Sequence, residues 1–145
     1  MIPILIIAAG SSSRMRGVDK LLEDVNGMPL LRKQAKIALH TGHPVFVALP
    51  NAAHPRADVL HDLAVTILAV PDATEGMSGT LRGAVAQLPE ALAFMLVLGD
   101  LVALGTTDLQ AVLAARAAHP NQLIWRGATQ DGKPGHPIIF DDSLR

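Results

Sequence analysis

The chain contains no cysteine and no tyrosine, and its aromatic residues are three Phe and one Trp. The absence of cysteine excludes a disulfide scaffold, a Cys nucleophile, a thiolate zinc site and a cysteine-ligated iron–sulfur cluster. So few aromatics cannot build a base-stacking platform. With a formal net charge of −1 and a pI of about 6.6 there is also no basic excess, so nucleic acid is not an expected partner. No apolar run approaches the roughly 20 residues that span a bilayer, so no membrane is expected either. What is present is apolar: 50% of residues are hydrophobic, 17% are charged, and the mean hydropathy is +0.34. That is more surface to bury than a disordered chain carries, and 145 residues suit one domain.

The first apolar run, Ile2 to Ala9, has no Lys or Arg before it and stops at Gly10-Ser11-Ser12-Ser13. A signal peptide would have the opposite flanks, so a buried parallel strand is the better reading and a cytoplasmic protein the expectation. Candidate strands recur at 2–8, 45–49, 65–70, 94–98, 122–125 and 137–140, the first four as nearly continuous apolar runs. Helical patterns lie between them at 29–41, 55–63, 78–88 and 107–119. In the first, Leu30, Leu31, Gln34, Ala35, Ala38 and Leu39 share a stripe while Arg32, Lys33 and Lys36 face away. Thr106 or Thr107 would cap the fourth helix and Pro120 would stop it. Such alternation predicts a three-layer αβα sandwich on a mostly parallel, Rossmann-like sheet. In open α/β sheets ligands bind beyond the carboxyl ends of the strands, which points to loops 9–20, 50–54, 71–80 and 99–106.

The first of these loops runs Ala8-Ala9-Gly10-Ser11-Ser12-Ser13-Arg14-Met15-Arg16-Gly17-Val18-Asp19-Lys20. Glycine and small hydroxyl residues let backbone N–H groups approach a phosphate, and Arg14, Arg16 and Lys20 can neutralise its charge. It is not a P-loop, because six residues separate Gly10 from Gly17 and Lys20 precedes Leu21. It is not a dinucleotide fingerprint, because Ser12 stands where a second glycine is required. Composition alone leaves two readings, a phosphate cradle and a solvated loop.

The order Ile7-Ala8-Ala9-Gly10-Ser11-Ser12-Ser13-Arg14-Met15, then Lys20-Leu21-Leu22, then Asn26-Gly27-Met28-Pro29-Leu30-Leu31 resembles the opening of the MobA-like NTP transferase family. Its similarity is greatest to the branch containing molybdenum cofactor cytidylyltransferase. Glu75-Gly76-Met77-Ser78-Gly79-Thr80-Leu81-Arg82 and Gly135-His136-Pro137-Ile138-Ile139-Phe140 resemble two later segments of that family. The resemblance implies a nucleotide-diphospho-sugar transferase-like fold. It also implies transfer of a cytidylyl group from CTP to a molybdopterin-type cofactor, with release of pyrophosphate and with Mg2+ as cofactor. Ala8-Ala9-Gly10, without a second glycine at position 9, is similar to the cytidine-using members.

On that template Ala8, Ala9 and Gly10 to Ser13 meet the base and phosphates, while Arg14 and Lys20 supply catalytic positive charge. Asp72, Ser78 and Thr80 would reach the nucleotide, and His136 the acceptor. Asp100 corresponds to the metal-binding Asp, although Leu101-Val102 replaces the family's Met-Pro after it. Position alone gives blander roles: Asp100 as a turn residue, Ser78 as a helix cap, His136 as a loop-fixing residue. The remaining histidines show no paired metal spacing and read as structural, and Trp125 reads as core or interface.

The resemblance further implies a later Gly-Asp-x-Gly segment with a second carboxylate near the metal, and nothing up to Arg145 matches it. The expectation is a single domain, 1–145, lacking that segment, either because the chain is shortened or because a partner chain completes the site, with self-association or a molybdoenzyme as the candidate partner. The same loop and Asp100 would equally serve a pyrophosphorylase for a sugar or alcohol phosphate. A third class is a non-catalytic nucleotide- or cofactor-binding accessory protein.

Overall fold

Ile4, Leu5, Ile6 and Ile7 are all buried and form β1 (Ile4–Ile7) in the computed structural model of the chain. The structure describes residues 1–9, 14–15, 18–70, 77–100, 104–128 and 134–145, with backbone only for Arg14, Met15, Val18, Met77, Ser78, Ala128 and Pro134. β1 pairs in parallel with β6 (Val45–Leu49) on one side and β8 (Ala93–Leu98) on the other. A strand in that position has both faces covered, which is why its sequence does not alternate. Outside β6 lies β7 (Val65–Ala69), again parallel. Outside β8 lie β10 (Pro134–Asp141) and then β9 (Ile124–Ala128), both pairings antiparallel. The sheet order is β7-β6-β1-β8-β10-β9, a mostly parallel six-stranded sheet.

Between β1 and β6 the chain makes two small antiparallel ribbons that the apolar pattern does not announce. β2 (Arg14–Met15) pairs with β3 (Val18–Asp19), and β4 (Asp24–Val25) with β5 (Met28–Pro29). A 3₁₀ turn, Lys20–Leu22, joins them. The β4–β5 link is Asn26-Gly27, with φ of 55° and 90°, the left-handed pair that a two-residue hairpin turn requires.

Helix α1 (Leu30–Leu39) buries Leu30, Leu31, Gln34, Ala35 and Ala38, as its stripe predicts. α2 (Pro55–Asp58) is a single turn rather than the expected 55–63 helix. Beyond it the amides of Leu60 and Leu63 bond to carbonyls only three residues back, so the segment continues as separate turns. α3 (Met77–Gln87) and α4 (Thr106–Ala118) follow β7 and β8. The α4 cap is Gly105, not Thr106 or Thr107: the Asp108 carboxylate accepts from the Gly105 N–H at 2.7 Å. Thr106 instead donates its hydroxyl to the Ile37 carbonyl and ties α4 to α1. The last two strands run to Ala128 and start at Pro134, longer than the apolar runs 122–125 and 137–140 suggest.

α1, the turns around α2, and α4 cover one face of the sheet over Ile4, Ile6, Val47, Met95 and Ile139. α3 covers the other face with Leu81, Ala84 and Val85, joined by Leu88 just past its end, against Leu5, Ile7, Leu68 and Leu96. The arrangement is therefore three-layered. Trp125 is core, as expected, with its indole N–H donating to the His119 carbonyl at 2.9 Å. Among the described residues no helix is long and apolar enough to cross a membrane.

Leu5 is fully buried beneath α3 in the central strand. Leu5→Ala is expected to lower the unfolding free energy by about 2–5 kcal/mol in urea titration, and a loss below about 1 kcal/mol would contradict this packing.

Candidate functional site

The sheet order places β1 between strands whose connections leave in opposite directions, so the crevice between β1 and β8 is the place to look for a ligand. The register pairs Ile7 with Leu98, so Ala8–Ala9 and Gly99–Asp100 leave the sheet side by side. The Gly99 N–H bonds to the Ile7 carbonyl at 3.0 Å, and a Cβ on Gly99 would stand 3.0 Å from that same oxygen. The close approach explains the glycine before Asp100. β10 brings His136 to the same end: Ile138 pairs with Leu96, and His136 lies two residues further toward Asp100.

Lys20 opens the 3₁₀ turn that follows β3 and is half-buried. Asp19 caps this turn, its Oδ1 accepting from the Leu21 N–H at 3.1 Å, and Leu21 is sunk in the core. Asp19 is in turn held by Arg56. The Arg56 Nε donates to Asp19 Oδ2 at 2.7 Å and its Nη2 to Oδ1 at 3.1 Å. Its Nη1 donates to the carbonyl of Ala8, the residue just after β1. Both side chains are nearly inaccessible, 1% exposed for Arg56 and 8% for Asp19. A buried guanidinium is stable only when its donors are matched in this way.

The structure thus brings together Ala8, Ala9, Lys20, Asp100 and His136, among the residues singled out from sequence. Thr80 lies in the first turn of α3 and is fully buried. Arg14 lies on β2 and Ser78 on α3, both described by backbone alone. Gly10, Ser11, Ser12, Ser13 and Asp72 lie outside the described residues. Asp19 and Arg56 were not anticipated. Asp19 adjoins Lys20 and was within reach of a sequence argument. Nothing in the local pattern of Arg56, at the start of a polar helical turn, announces its burial.

A polar cleft of about 250 Å³ lies beside this end of the sheet, between Asp108, Ala111 and Ala115 of α4 and Arg126, Gly127 and His136 of the β9–β10 pair. Gly127 is needed there, since a Cβ would stand 2.8 Å from the His136 carbonyl oxygen. The His136 Nδ1 is buried without a hydrogen-bond partner among the described residues. As for a metal, no group of three or more His, Asp or Glu among the described residues could hold one. A hard cation such as Mg2+ is commonly held by one or two carboxylates together with substrate phosphates. Among the described residues, Asp100 at the end of β8 is one carboxylate that could contribute to such a set.

The MobA-like NTP transferase domain matches residues 4–145. The chain belongs to the MobA-like NTP transferase family. Nucleotidyl transfer is the chemistry of that family, and the α/β architecture described above is the fold that serves it. Solved structures agree on the fold. Protein Rv0371c of Mycobacterium tuberculosis superposes with a TM-score of 0.80 at 25% identity, covering 99% of this chain and 72% of that one. A complex of that protein with manganese gives 0.76 at 23% identity, with 99% and 72% coverage. A CMP-2-keto-3-deoxy-manno-octonic acid synthetase in complex with CTP gives 0.68 at 22% identity, covering 86% of this chain and 51% of the synthetase. No curated protein matches the chain significantly.

The site's electrostatics are testable at His136. Burial pushes its imidazole below the ordinary value of 6.5; the Leu96 main chain opposes this, Arg126 reinforces it and Asp100 opposes it. Because the folded state disfavours the imidazolium, the His136 contribution to stability is full above 6.5 and is lost as the pH falls from there through the lower folded value. In an NMR titration of the imidazole, Arg126→Gln is expected to raise the midpoint and Asp100→Asn to lower it. Midpoints indifferent to both changes would show that these charges do not share one site.

Proposed function

We propose that this MobA-like domain transfers a cytidylyl group from CTP to a molybdopterin-type acceptor and releases pyrophosphate. The observation that carries the reading is the convergence of Ala8–Ala9, Lys20 and Asp100 at the carboxyl ends of β1 and β8. The reaction is an attack by an acceptor phosphate oxygen on the α-phosphorus of CTP. One P–O bond forms, the bond to the bridging α–β oxygen breaks, and pyrophosphate leaves with that electron pair. Such a reaction asks the protein chiefly to position two anions and to neutralise charge.

Lys20 meets the triphosphate as a compact positive charge held by its capped turn. Arg14, Gly10, Ser11, Ser12 and Ser13 belong to the same nucleotide loop and supply further charge and donors on the family's pattern. Asp72 and Ser78 extend the nucleotide contacts from the loop before α3 and from its first turn. Asp100 holds a divalent cation, Mg2+ in this reading, which when bound spreads the developing phosphate charge. A choice of CTP is supported by Ala8-Ala9-Gly10 and by the fold neighbour complexed with CTP; a divalent cation is supported by the neighbour complexed with manganese. His136, on the polar cleft beside Asp100, faces the acceptor in this reading. The synthetase likeness favours one second reading, cytidylyl transfer to a sugar-type acceptor through the same nucleotide site.

The test is thermal unfolding with CTP, GTP, ATP and UTP, each with and without Mg2+. CTP with Mg2+ at a hundredfold excess over its dissociation constant is expected to stabilise the fold by about 2.7 kcal/mol. Lys20→Ala should remove most of that stabilisation, and Asp100→Asn should remove its dependence on Mg2+. No response to any nucleotide would sink the proposal, and an unaltered response in Lys20→Ala would remove Lys20 from the phosphate site.

A further inference from the structure

We infer that Arg56 is a positioning residue for Lys20, acting through Asp19, and that it sets where the triphosphate is gripped; the inference rests on the nucleotide reading of Lys20. Arg56 is buried, 1% exposed, and reaches the Lys20 turn through the Asp19 carboxylate. It joins two pieces of chain that the site needs in fixed relation: the Ala8 carbonyl at the end of β1, and Asp19 immediately before Lys20. The two-pronged pairing with both Asp19 oxygens fixes the carboxylate in orientation as well as in place.

The same carboxylate caps the turn that Lys20 opens, through the Leu21 N–H. Leu21, 1% exposed, anchors the other side of Lys20 in the core. Lys20 therefore stands between two immobilised neighbours, and its flexible stem begins from a fixed point on the main chain. The segment carrying Arg56 is itself secured. Leu60 is buried, and Arg32 of α1 reaches over to the Val59 carbonyl at 3.2 Å and to the Asp62 carboxylate. Rigidity thus runs from the helical layer through Arg56 to the edge of the nucleotide site.

An ion pair so deeply buried is weak evidence for stability, since well-packed apolar residues could do as well. Its geometry, with donors aimed at both the Ala8 carbonyl and the Asp19 carboxylate, suits a part that holds register. A lysine at position 56 would keep the charge but lose the planar fork, so Arg56→Lys separates geometry from charge. Asp19→Asn keeps the side-chain shape and removes the charge, and serves as the second variant.

The experiment measures two quantities in each variant, well below its melting temperature and with native far-UV dichroism confirmed. One is the dissociation constant of CTP with Mg2+ by calorimetry. The other is hydrogen exchange at the Leu21 amide, with Ile6 and Val47 as internal references. The expected result is CTP binding weakened about tenfold to a hundredfold in both variants, with Leu21 exchange accelerated about tenfold and the references unchanged. A variant that melts earlier but binds CTP as tightly as the parent when folded would make Arg56 merely structural and overturn the inference. Unchanged Leu21 exchange would overturn it as well. If the parent protein binds no CTP, the nucleotide reading fails separately, and Leu21 exchange still decides whether Arg56 holds the Lys20 turn.

Discussion

β1 has a parallel partner on each side, and its backbone groups are satisfied only while both partners stay in register. That pairing forces four consecutive apolar residues, because helices must cover both faces. It also forces the chain to leave β1 at the one end of the sheet where the neighbouring connections diverge. Ala8 and Ala9 are small and buried at this exit. Gly99 arrives beside them on β8 and can be nothing larger without pressing on the Ile7 carbonyl. The position of Asp100 is thus a consequence of strand register, not of any local motif.

Charge enters this apolar frame sparingly. Among the described residues, the charged groups near the ends of β1 and β8 include Lys20 with its Asp19–Arg56 support, and Asp100 with His136 and Arg126. In the first set the Asp19–Arg56 pair is buried and geometrically fixed, and Lys20 is half-buried. The second is partly open and electrostatically coupled, with opposite charges bearing on one imidazole. Two anionic reactants need both kinds of environment, one that holds a triphosphate in place and one that can admit an acceptor. The polar cleft at Gly127 and His136 lies on the second side.

The fold was legible from its periodicities wherever burial is two-sided. The run 45–49 is a strand to the residue, and the α1 stripe buries the side chains it names apart from Leu39, which is half-buried. Legibility fell where tertiary contacts decide. The 55–63 pattern carries apolar residues at helical spacing, yet Leu60 reaches the core from a turn instead. The β4–β5 hairpin has a signal of its own in Asn26-Gly27, which sits inside a motif whose interest lay elsewhere. At the site, the small residues after β1 and the Asp after β8 follow from the carboxyl-end rule, and Lys20 from its motif. Thr80 keeps the hydroxyl of the family's segment and is fully buried. Arg56 could not be read, because the burial of an arginine depends on a partner 37 residues away in sequence.

The central claim is that a nucleoside triphosphate binds at the shared end of β1 and β8, gripped from the Lys20 turn. Chemical-shift mapping of the amide spectrum on addition of CTP and Mg2+ tests it most directly. The account predicts perturbations concentrated at Ala8, Ala9, Asp19 to Leu21, Gly99 and Asp100, with the opposite ends of the strands, Ile4, Val45 and Ala93, unmoved. Perturbations centred on those opposite ends, or a spectrum indifferent to CTP, would contradict it.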